Sequence, residues 1–173
     1  LAGLGRVRYT GAPVLVPRQV TPMREGVLLR FDVALDKTTA GDVANFGAAT
    51  WGYRRTPKYG SPNFKADGTP GVDTLTPSRA YVSADGRGVF VAIPGMTPVM
   101  QLKVSWALKT ARDGREVKGD AYTTPYALDG FNPRAEGFGE VTLDLTRRAT
   151  PIAPAVAAVP TVDEGREVFV RYG

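Results

Sequence analysis

The chain has 173 residues, 43% of them hydrophobic, and its 22 Lys+Arg against 17 Asp+Glu give a formal charge of +5. That balance is ordinary for a globular protein, and the length suits one domain, or one domain plus a short appendage, long enough to bury a core without disulfide or metal staples. The absence of His and Cys excludes a Ser-His-Asp triad, a cysteine nucleophile, the usual zinc sites and haem ligation by this chain's own residues.

Glycine (20) and proline (14) are spread as punctuation between short apolar runs, a spacing that favours strands over helices. Val27 to Val33 alternates, with Val27, Leu29, Phe31 and Val33 on one face and Arg30 and Asp32 on the other. One helical turn is expected at Thr39 to Asn45, where Thr39 could cap the start and Val43 and Phe46 point inward. Pro57, Gly60, Pro62 and Gly68 mark a long loop. Asp85-Gly86, inside Ala84 to Gly88, separates Ala80-Tyr81-Val82 from the buried-strand run Val89 to Ile93, and Asp-Gly is a strong hairpin signal. Met100 to Leu108 alternates again, placing Leu102, Val104 and Trp106 opposite Lys103 and Ser105. A second reversal falls at Arg112-Asp113-Gly114-Arg115, and Val141 to Leu145 reads as a further half-buried strand. The expected fold is an all-β sandwich of about seven to nine strands.

Composition changes at Ala149. Residues 149–160 form an uncharged Ala/Pro/Val tract with three prolines. Read as semi-rigid extended chain at about 3.1 Å per residue, it would span roughly 37 Å. The domain reading is therefore a sandwich over 1–148, a linker over 149–162 and the start of another module over 163–173.

The most chemically distinctive stretch is Trp51 to Lys65. It carries Arg54, Arg55, Lys58 and Lys65 without an acid, interleaved with Trp51, Tyr53, Tyr59 and Phe64. Aromatics beside cations suit stacking on sugars or bases and holding phosphate or sulfate. They equally suit facing the core or packing against a neighbouring domain with the Arg stems covering the rings. The candidate contact residues are Trp51, Tyr53, Arg54, Arg55, Lys58 and Tyr59. Carboxylates group as Asp113, Glu116 and Asp120, and as Asp32, Asp36 and Asp42. Turn-forming and capping roles account for them better than acid/base catalysis. Asp113-Gly114-Arg115-Glu116 lacks the spacing of a calcium loop, and Gly3 and Gly5 lie outside any strand-to-helix turn that could cradle a nucleotide. No nucleic-acid motif accompanies the basic excess and a pI of 9.6. No apolar run reaches the roughly 18 residues of a membrane span. Arg6 and Arg8 among glycines do not make a signal peptide, and a start at Leu rather than Met reads as a fragment or processed product.

Two resemblances enter on particular residues. The order Leu28-Leu29-Arg30-Phe31, Ala34-Leu35-Asp36, Asn45-Phe46, Ser83-Ala84-Asp85-Gly86, Val89-Phe90-Val91 and Leu102-Lys103-Val104 before Asp113-Gly114 resembles bacterial Ig-like accessory domains, over about Val27 to Lys118. Within it, Trp51-Gly52-Tyr53-Arg54-Arg55, Lys58-Tyr59-Gly60-Ser61, Pro98-Val99-Met100-Gln101-Leu102 and Arg6-Val7-Arg8-Tyr9-Thr10-Gly11 look like the β-domain of large secreted haem-binding proteins. The terminus is similar to the first helix of cytochrome c domains, with Gly165, Phe169 and Gly173 four apart and Val168, Phe169 and Tyr172 on one stripe.

In those proteins such a β-domain sits before a c-type cytochrome module, often downstream of a dehydrogenase-like propeller. The resemblance implies a secreted or periplasmic location, no cofactor in this chain, and haem c attached through a Cys-x-x-Cys-His motif in the segment following Gly173. It implies no enzymatic activity here, although the parent would be a sugar dehydrogenase-like oxidoreductase. The expected function is a non-catalytic spacer or docking domain, its partners the neighbouring cytochrome c-like and propeller domains of the same polypeptide. The alternative is a carbohydrate-binding module using Trp51, Tyr53 and Tyr59, with polysaccharide as its partner. Neither reading involves nucleic acid or a membrane span.

Overall fold

Residues that alternate in the sequence stack as two facing sheets in the computed structural model, which describes residue 8, residues 11–54 and residues 60–146. In chain order the elements are β1 (Gln19–Met23), β2 (Gly26–Arg30), α1 (Lys37–Gly41), a 3-10 turn (Val43–Asn45), β3 (Phe46–Trp51), β4 (Asp73–Leu75), β5 (Arg79–Val82), β6 (Gly88–Ala92), β7 (Gln101–Lys109) and β8 (Glu116–Thr123). The first sheet runs β1-β2-β6-β5 and the second β4-β3-β7-β8, every pair antiparallel. The chain is an all-β sandwich, and this strand order is that of immunoglobulin-like sandwiches with a fourth strand beside the third.

Between the sheets lie the side chains that the period of two selects. Val27, Leu29 and Phe31 meet Val89, Val91 and Ile93 from the first sheet, and Phe46, Leu102, Val104, Trp106 and Leu108 from the second. Phe31 meets Trp106 edge-on, with centroids 6.3 Å apart. Burying each of these large side chains contributes about 1.5–3 kcal/mol. Gly119 of β8 lies under Trp106, where a Cβ would come within 3.2 Å of the indole ring.

The helical turn is present, with one change of role. Asp36, not Thr39, caps α1: its Oδ1 accepts from the Thr39 amide at 2.9 Å. Phe46 is buried as expected, while Val43 is only half-buried. Both predicted reversals join consecutive antiparallel strands, β5 to β6 at Asp85-Gly86 and β7 to β8 at Asp113-Gly114.

Val141 to Leu145 is not a strand. It belongs to an irregular strap, 129–146, that lies across the outer face of the first sheet. Phe131, Phe138, Val141 and Leu143 cover Leu28, Phe90, Met23 and Ala92 there. Side chains replace the missing ladder: the Tyr81 hydroxyl accepts from the Asp144 amide at 2.7 Å and donates to the Thr142 carbonyl at 3.1 Å. Ser78 Oγ donates to the Asp144 carbonyl at 2.5 Å, and Glu25 Oε2 accepts from the Phe131 amide at 2.8 Å. Arg30 pairs with Glu136 at 2.5 Å. The strap makes the first sheet buried on both faces, which is why Val89 to Ala92 is apolar without alternation. The linker reading of 149–162 and the helical reading of 163–173 lie outside the described residues.

Candidate functional site

β3 ends at Trp51, and the pleat decides what it presents. Phe46, Ala48 and Thr50 pair with Trp106, Val104 and Leu102 on the core side. Gly47, Ala49 and Trp51 therefore fall on the outer face of the second sheet. The same register brings Gln101 and Lys103 of β7, then Asp120 and Tyr122 of β8, onto that face.

Trp51 is the centre of the cluster. Its indole Nε1 donates to the Tyr53 hydroxyl at 3.0 Å. Its ring meets Tyr122 edge-on, with centroids 6.2 Å apart and planes at 76°, a favoured geometry for aromatic quadrupoles. Trp51 itself is only 9% exposed, whereas Tyr53 is 41% and Tyr122 56% exposed. One buried indole thus holds two exposed phenol rings. The Tyr53 amide points at the Met100 sulfur, 3.1 Å away.

A polar group borders the rings. Lys103 Nζ lies 2.8 Å from Asp120 Oδ2 and 5.5 Å from the centre of the Tyr122 ring, and the Tyr122 hydroxyl donates to the same carboxylate at 3.2 Å. Hydrogen bonding from Lys103 holds the Asp120 carboxyl below its usual range, and the carboxylate in turn raises the Lys103 ammonium above its own. Gln101 Nε2 donates to Thr124 Oγ1 at 3.3 Å on the adjoining strand end. This is a surface able to stack flat apolar faces and to exchange hydrogen bonds with hydroxyls.

The residues singled out from the sequence divide. Trp51 and Tyr53 come together as described. Arg54 turns into the loop instead: its guanidinium stacks 4.1 Å over Phe64 and donates to the Gly68 carbonyl at 2.6 Å, while its amide donates to Ser61 Oγ. Gly52 and Phe64 exchange backbone hydrogen bonds at 2.8 and 3.0 Å, so this part of the loop folds back on β3. Arg55, Lys58 and Tyr59 lie outside the described residues.

Met100, Lys103, Asp120 and Tyr122 did not emerge as contact residues from the sequence. Lys103 shows in the sequence only as part of the polar face of the Met100 to Leu108 alternation, and the signal for Asp120 and Tyr122 is the period of two in Glu116 to Thr123. That period is faint because the inward positions include Gly119, which lies under the bulk of Trp106, and the small Ala121 opposite Val104.

The carboxylates take turn and pairing roles. Asp36 and Asp42 cap helical turns, Asp32 lies 3.7 Å from Arg18 on the surface, and Asp113 accepts from the Thr110 hydroxyl in the β7–β8 turn. Among the described residues no three acidic side chains converge as a metal-holding group, and no helix is long and apolar enough to cross a membrane. No protein-family model, curated protein or solved structure matches this chain.

Proposed function

We propose that this sandwich is a non-catalytic spacer and docking module of a larger secreted, haem-binding electron-transfer protein. The observation that carries the reading is the strap. After β8 the chain does not leave the domain: it returns across the first sheet and is fastened at Glu25, Arg30, Tyr81 and Ser78. The described strap therefore ends, by Thr146, at a place fastened beside β5, and such a fixed exit supports a module that sets the distance and direction to its neighbour. The electron-transfer context is supported by the Gly165, Phe169 and Gly173 spacing of the terminus.

Two measurements test it. The reading frame beyond Gly173 should encode Cys-x-x-Cys-His, and its absence removes the haem context. In the protein that includes the following module, spin labels on β4 and on that module should give a narrow distance distribution. Phe131→Ala should broaden it; an equally broad distribution in both proteins would leave the strap without an orienting role.

A further inference from the structure

A second surface, on the opposite sheet and independent of the strap, carries a binding function of its own. We infer that Tyr53 and Tyr122, mounted on Trp51 and bordered by the Lys103–Asp120 pair, form a stacking platform for a neutral polysaccharide.

Preorganisation is the first argument. Exposed tyrosines ordinarily lose rotamer freedom on binding, which weakens the complex. Here the Trp51 Nε1 bond fixes the Tyr53 hydroxyl, and both the Trp51 edge and the Asp120 carboxylate fix Tyr122. The rings are held before any ligand arrives, although they contribute little to the core. Trp51 is spent on positioning them.

Chemistry selects the ligand. The C–H faces of a pyranose ring are apolar and flat, and they match exposed phenol faces; its rim of hydroxyls both donates and accepts. Asp120 supplies carboxylate acceptors, while Lys103 and the Gln101 carboxamide supply donors. Among the described residues the charged groups directly beside the rings, Lys103 and Asp120, pair at 2.8 Å, while Lys118 stands exposed two residues before Asp120 on the same face of β8. The pairing at the rings themselves favours a neutral hydroxyl-rich chain over nucleic acid and acidic polymers, which need uncompensated positive charge. Position agrees: Met100, 49% exposed and with its sulfur 3.1 Å from the Tyr53 amide, extends the face beside the Tyr53 ring.

Affinity electrophoresis of the intact chain in gels containing cellulose derivative, xylan, β-1,3-glucan or mannan tests this directly. At least one polymer should retard the protein, equally at low salt and in about 0.5 M NaCl, where charge contacts are screened. Tyr122→Ala and Tyr53→Ala should each weaken retention about tenfold or more, the scale of a central aromatic contact, with unfolding midpoints close to that of the parent. Tyr122→Phe, which keeps the ring, should retain most of the binding. Retention by none of the four polymers overturns the inference, as does retention unchanged in Tyr122→Ala or abolished by salt. Association with another copy or with a protein module, lost in Tyr122→Ala and without polysaccharide retention, also overturns it, in favour of a protein contact.

Discussion

Phe131 lies face to face on Phe90, with ring centroids 3.6 Å apart and planes within 1°. Phe90 is on the central strand β6 and is completely buried, yet it points away from the space between the sheets. It is the strap, through Phe131 and the edge-packed Phe138 at 5.3 Å, that shields it from water. Phe131→Ala should cost about 3 kcal/mol by the usual scale of buried Phe truncation. The loss should appear in denaturant midpoints, and amide exchange across 129–146 should accelerate more than exchange in β7.

Ser83 is a smaller joint with a sharper signature. Its buried hydroxyl accepts from the Gly88 amide at 2.7 Å and donates to Asp85 Oδ1 at 2.6 Å, closing the β5–β6 turn. That donation is the main reason the Asp85 carboxyl sits below its ordinary range, with the Arg87 amide next. Ser83→Ala leaves the Gly88 N–H without this acceptor and should destabilise by about 1–3 kcal/mol. A carbon-detected titration of the Asp85 carboxyl should show its midpoint moving upward, toward the ordinary aspartate value of about 3.9. A midpoint that stays where it was would assign the shift to the backbone instead.

The Lys103–Asp120 pair predicts a bounded pH window. The folded-state titration of Asp120 is depressed, so its contribution is present above the unfolded carboxylate pKa of about 3.9 and is lost as pH falls through the lower folded value. Lys103 is raised, so its contribution is complete below about 10.4 and is lost as pH climbs through the higher folded value. Asp120→Asn should therefore lower the thermal midpoint by a similar small amount from about pH 5 to 10, with the difference from the parent closing at both extremes. The Asp120 side chain is 37% exposed, so solvent screening keeps the effect at the scale of a surface pair.

These relationships differ in how plainly the sequence announces them. Val27-Leu29-Phe31 and Leu102-Val104-Trp106 are legible because large apolar side chains alternate with charged or hydroxyl ones, and a pleated strand leaves them one arrangement. β1 and β8 are not legible. Gln19 to Met23 contains Pro22 and two polar positions, Gln19 and Thr21, and β8 puts Gly119 and Ala121 where a reader looks for bulk. Val141-Leu143-Leu145 has the pattern of a strand but lies over a sheet face rather than along an edge. There Phe131, Phe138, Val141 and Leu143 cover Leu28 and Phe90, and Tyr81 and Ser78 bond the segment's backbone in place of a ladder. The outer-face site is half legible for the same reason. Trp51 and Tyr53 are neighbours in sequence, whereas Tyr122 reaches them only through the β3–β7–β8 register.

Gly26 shows how tightly that register is set on the first sheet. It opens β2 with φ at +156°, opposite Ala92, and a Cβ built on it would lie 1.9 Å from the Val91 carbonyl oxygen. No side chain can rotate out of that contact, because the obstructing atom is backbone. Gly26→Ala must push β2 from β6 at the point where the β1–β2 turn also holds the strap through Glu25 and Arg24. The single methyl should therefore cost more than the 1–3 kcal/mol of ordinary overpacking. It should also loosen the strap, which a comparison with Gly114→Ala isolates. Gly114 likewise has positive φ, at +64°, but meets nothing within 4 Å, so its substitution should carry only backbone strain. Equal losses of stability in the two variants would mean that the close approach of β2 to β6 is not what demands a glycine at position 26.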